Sequence, residues 1–154
     1  MREVERIVDQ LKRAFEGEAW HGPSVRELLA TTTCAQAAER PIPGAHTIWE
    51  IVVHMGVWES VARRRLLGET IADLPPEQDW PAVKNATEPA WRKELEELEK
   101  SHVQMRRAIA ELTDERLRER VPGEGYTVYV MLHGVIQHDL YHAGQIALLK
   151  KALA

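Results

Sequence analysis

The 154-residue chain has one cysteine, Cys34, so an internal disulfide is excluded. A reducing cytoplasm is the expected setting, and Cys34 reads as a small buried filler rather than a reactive thiol. Long apolar runs are also missing. None approaches the roughly 18 residues of a membrane-spanning helix, so no membrane is expected as a partner. The opening MREVERIVDQ is charged from residue 2, and no secretory signal is expected there. Positive charge is not in excess. Twenty Lys and Arg against 24 Asp and Glu give a formal net charge of -4, which offers no pull toward nucleic acid. The one tight basic run, Arg63, Arg64 and Arg65, lies near an expected helix C-terminus, where cations suit the dipole, and reads as solvated. Strand-like alternation, internal repeats and low-complexity segments are absent as well.

What remains is helical periodicity. Val4, Ile7, Val8, Leu11, Ala14 and Phe15 predict a first long helix over 2–16. Ser24 with Glu27 and Thr33 with Gln36 are capping boxes that open two short helices. Thr47 with Glu50 opens a second long helix, which runs to Leu67 before Gly68. Residues 69–87, with three prolines and Trp80, form a long connection of the kind that packs as a lid. A third long helix runs from Glu88 to Leu112 with a stripe of Trp91, Leu95, Leu98, His102, Met105 and Ile109. A fourth fills Tyr126 to Ala154 and is apolar nearly all round, so it is expected to be buried against several neighbours. The predicted fold is all-α: one domain, 1–154, built as a four-helix bundle with short extra helices in its connections.

The chemistry is carried by histidine. His138 and His142 are four residues apart on the fourth helix, so both rings stack on one face, one turn apart. A metal ion accepts such a pair. His54, mid-way along the second long helix among aliphatic neighbours, is the expected third ligand. Three imidazoles leave a divalent ion, zinc or nickel, an open position for a water or thiol nucleophile. Trp58, Gln145 and His102 are the expected pocket residues. His102 is also read as a fourth ligand, as a group hydrogen-bonded to a ligand, or as a plain core histidine. Glu50 is a candidate base, although its capping box already accounts for it. His21 and His46 lie in connectors, where surface or capping roles are expected, with His21 within reach of the pocket. Asp139 lies off the ligand face and reads as a solvent contact. His133 points elsewhere on the helix.

PIPGAHTIWEIVVHMGVWE followed by GVIQHDLYHAGQIALLKK resembles the DinB-like (YfiT-like) family of metalloenzymes, and EAWHGPSV resembles one branch of it. The resemblance spans nearly the whole chain, and HDLYHAGQI is its most specific part. It implies a four-helix bundle with a three-histidine nickel or zinc site on His54, His138 and His142, and a homodimer. It further implies an S-transferase acting with a low-molecular-weight thiol on a small-molecule substrate, whereas a metal-bound water would make the protein a hydrolase. Relatives include bacillithiol transferases and a mycothiol-dependent isomerase. One rival reading is a non-catalytic, metal-dependent binding protein of a stress response, and another is a plain structural bundle whose histidines are core residues.

Overall fold

Side-chain caps set where the helices begin. In the computed structural model, which describes residues 1–154, Ser24, Thr33 and Thr47 each accept the backbone N–H three residues on. The Glu or Gln at that position reaches back to the cap's own N–H. These boxes open α2 (Val25–Ala30), α3 (Cys34–Ala38) and the long α4 (Ile48–Leu66). Helix α1 (Glu3–Glu16) takes its cap from far along the chain: the Asp114 carboxylate accepts the N–H groups of Glu3 and Val4, both at 3.0 Å. Pro75 precedes α5 (Pro76–Asp79), a single turn inside the 69–87 connection. Thr87 caps α6 (Glu88–Ala110), and a 3-10 turn follows at Arg116–Arg118. The last helix, α7 (Val128–Ala152), starts two residues later than expected. Thr127 caps it, while Tyr126 is held back in a connector closed by one antiparallel bridge between Arg120 and Thr127.

Helix α4 packs against α6 and α7, and α1 packs against the same two. The four long helices therefore form a ring in the order α1, α6, α4, α7. No helix is long and apolar enough to cross a membrane.

The apolar interior is divided into two clusters. One gathers Val4, Leu11, Ala62, Met105, Leu132 and Ile136. The other gathers Phe15, Met55, Trp91, Leu98, Ala143 and Ile146. Burying each large aliphatic side chain contributes about 1.5–3 kcal/mol. Between the clusters lies one polar layer. Glu59 sits between Met55 and Ala62 on α4, His102 between Leu98 and Met105 on α6, and Asp139 between Ile136 and Ala143 on α7.

Two sequence expectations are corrected here. Asp139 is no solvent contact: it is fully buried, because the apolar positions three and four residues away on α7 all face inward. Arg65 is likewise buried. It turns back under the end of α4 to donate to Glu124 at 2.5 Å, Tyr126 Oη at 2.7 Å and the Ile71 carbonyl at 2.7 Å. Arg64 is exposed, pairing with Glu69. Cys34 is half-buried, packed at the edge of the second cluster.

Candidate metal centre

The spacing of His138 and His142 puts both rings on the side of α7 that faces α4, and His54 meets them from α4. His138 Nε2 lies 3.0 Å from His54 Nε2 and 3.1 Å from His142 Nε2. Three imidazole nitrogens thus crowd one small volume. His54 and His142 are buried, and His138 is half-buried.

The far side of each ring explains which nitrogen carries the proton. His54 Nδ1 lies 2.8 Å from the Asp79 carbonyl and 3.1 Å from Asp79 Oδ1. His142 Nδ1 lies 2.6 Å from Gln145 Oε1. Carbonyl and carboxylate oxygens only accept, so both Nδ1 atoms must donate. Each Nε2 is then a bare lone pair. One proton on His138 Nε2 can bridge to one of the two but leaves the other facing it unpaired. A cation satisfies all three at once, and the imidazole donor set fits a divalent transition metal. Burial, above all, keeps the rings neutral. It lowers His54, takes His142 to about 4, and with the charges of His142 and His54 takes His138 to about 3.

The long connection supplies the walls. Asp79 Oδ1 also accepts the Trp58 indole N–H at 2.7 Å, which ties the connection to α4 one turn beyond His54. Trp80 lies flat on the His54 ring, centroids 3.7 Å apart, and His46 lies flat on the other face of Trp80 at 3.5 Å. The expected lid is therefore a three-ring stack that closes one side of the centre. On the other side a cavity of about 250 Å³ opens beside His138, lined by Trp58, Arg65, Tyr126, Met131, Val135 and neighbours. A larger groove between α4 and α6 touches none of the three histidines and offers no comparable chemistry.

The expected residues divide accordingly. His54, His138 and His142 come together, Trp58 lines the cavity, and Gln145 stands behind His142 instead of lining the cavity. His102 is placed elsewhere: it is fully buried on α6, its Nδ1 3.0 Å from Glu59 Oε1 and its ring stacked on Phe15 at 3.9 Å. Glu50 closes the cap of α4 and pairs with Arg40 at 2.8 Å, which holds its carboxyl below the usual range against the opposing effect of burial. His21 is exposed beside Ile136 and Leu140, away from the cavity. His133 packs against Tyr129 at 4.3 Å. Sequence reasoning missed Asp79 and the stacking role of His46. The only available signal was the Pro75-Pro76 pair, which starts the turn that ends at Asp79.

A family model described as the DinB superfamily matches residues 19–146. No curated protein and no solved structure matches the chain. The matched span contains His54, both helical histidines and their polar supports, and takes in most of the sequence; the chain belongs to the DinB superfamily.

Proposed function

We propose that the protein is a divalent-metal-dependent enzyme whose ion is held by His54, His138 and His142. The observation that carries this reading is the convergence of three Nε2 atoms, two of them stripped of protons by acceptors behind their rings. A zinc or nickel ion there would supply the positive charge that makes a thiol or a water nucleophilic at neutral pH. The chain's own residues do the rest. Asp79 and Gln145 fix the tautomer and aim of two rings. Trp80 shields His54 from water. Trp58, Met131 and Val135 give the substrate side an apolar wall that suits a small electrophile with little charge. Superfamily kinship favours a low-molecular-weight thiol as the nucleophile, hence an S-transferase, over a hydrolytic reaction.

The test has two steps. Elemental analysis of the purified protein is expected to find a divalent ion that a strong chelator removes. A panel of thiols and small electrophiles should then turn over with the ion present and not after chelation. Binding without turnover would assign the protein to the non-catalytic class, and absence of any ion affinity would end the proposal.

Gln145 allows a finer check. It is the acceptor found for His142 Nδ1. Gln145→Ala frees the ring to rotate and to change tautomer. Removing such a supporting group typically costs about 10–100-fold in metal affinity. Competition titration against a chelating dye should show a loss of that order while the fold, followed by circular dichroism, is unchanged. An unchanged affinity would mean the amide is a bystander.

A further inference from the structure

The polar layer between the two halves of the core is itself a site. Glu59, His102 and Asp139 come from three different helices and are 1%, 0% and 0% exposed. They offer donor atoms all within 4.8 Å of one another. The single contact inside the group is His102 Nδ1 to Glu59 Oε1 at 3.0 Å. Glu59 Oε2, His102 Nε2 and both oxygens of Asp139 are buried with no partner. Native interiors pair more than 90% or so of such atoms, so four orphans in one place point to an occupant.

Charge narrows what the occupant is. Two carboxyl groups and a neutral imidazole meet in a fully buried layer, where an ionised pair is stable only beside a cation. The nearby cations are committed elsewhere, Arg106 to Glu16 and Arg26 to Glu99. A water molecule would satisfy hydrogen bonds but bring no counter-charge to an ionised pair. A divalent ion balances the ionised pair and uses the orphaned atoms as ligands. With bonds of about 2.1 Å, two donors on opposite sides of one ion stand about 4.2 Å apart, so the observed spread closes with small side-chain movements.

We propose that Glu59, His102 and Asp139 form a second, interior divalent-cation site, distinct from the three-histidine centre. Its one nitrogen and two carboxylates select a harder ion than an all-imidazole set does, of the manganese(II) or iron(II) class. The site ties α4, α6 and α7 together at the level where the apolar core is interrupted. Because its donors are fully buried, the ion enters as the chain folds.

The test uses Mn²⁺ alone as probe and keeps the two centres apart. The His54→Ala/His142→Ala protein, refolded with Mn²⁺ and stripped of free ion, should retain one Mn²⁺ per chain by elemental analysis and by electron paramagnetic resonance. Adding Glu59→Gln and Asp139→Asn, which keep shape and remove charge, should abolish that equivalent. The melting temperature of the two-histidine variant should rise with Mn²⁺ during refolding, a readout that needs no further substitution. Uptake of no Mn²⁺ by that variant would overturn the proposal, and Asp139→Asn raising the melting temperature with or without the ion would then leave shared protons as what satisfies the layer. If the two-histidine variant binds as many ions as the unaltered protein, the histidine centre falls and the interior site stands.

Discussion

Replacing His54 or His142 with alanine will abolish tight binding of zinc or nickel. Each ring supplies one bare lone pair to a cluster of three, and two remaining imidazoles cannot enclose an ion. The loss should exceed the roughly 10–100-fold expected for removing a group that merely orients a ligand, so either variant should fall well below Gln145→Ala. Calorimetric titration of the ion-free protein measures this directly. Stability gives a second readout. An ion at a hundred times its dissociation constant stabilises the folded state by about 2.7 kcal/mol. For a domain of this size that corresponds to roughly 5–11 °C in melting temperature. That rise should appear in the unaltered protein and vanish in His54→Ala and His142→Ala. His133→Ala is the control: its ring lies against Tyr129 on a different face of α7, and both affinity and rise should be retained. Variants that kept full metal content would show that the three rings pack as core residues and share only a proton.

The helical half of this centre was legible because it is local. Spacing alone puts His138 above His142, and the Thr47–Glu50 box sets the phase of α4, so His54 could be placed among aliphatic neighbours before any coordinates. The supports were not legible. Asp79 and Trp80 belong to a proline-rich connection without periodicity, and their roles depend on how that segment folds back over α4. The interior polar layer was half-legible. His102 lies on the third helix's apolar stripe, and Asp139 and Glu59 each hold a core position by steps of three and four. Asp139 lies three and four residues from Val135, Ile136 and Ala143, and that spacing, applied consistently, would have put it on the buried face of α7. Burial raises its carboxyl, and burial followed by the charge of Asp139 raises that of Glu59. Arg65 was hidden for another reason: its partner Glu124 is 59 residues away, and nothing near a run of three arginines announces that one of them turns inward.

That inward turn carries the second large effect. Glu124→Ala should destabilise the protein by about 3 kcal/mol, the lower end of what removing one partner of a buried pair costs. The Arg65 side chain is 4% exposed, whereas Glu124 is 21% exposed and reaches the rim. Deleting the acid leaves a largely buried guanidinium without its counter-charge. Two acceptors, Tyr126 Oη and the Ile71 carbonyl, remain and keep the cost from going higher. The expected fall in melting temperature is roughly 6–12 °C. Arg65→Met should cost less, since it removes the charge itself, fills the space with an apolar stem and leaves Glu124 free to turn outward. Adding Arg65→Met to Glu124→Ala should therefore recover stability. Denaturant titration of the three proteins settles the order, and an Arg65→Met protein less stable than Glu124→Ala would show that the guanidinium's other hydrogen bonds dominate. The same residue joins stability to the centre. Arg65 fixes the end of α4 to the connection after it through Ile71, and to the connector before α7 through Glu124 and Tyr126. Both Arg65 and Tyr126 line the cavity beside His138. Loosening this clasp should widen the substrate side of the cavity while leaving His54 and His142, backed by Asp79 and Gln145, in register. Glu124→Ala is thus expected to weaken retention of a small apolar ligand without lowering metal content.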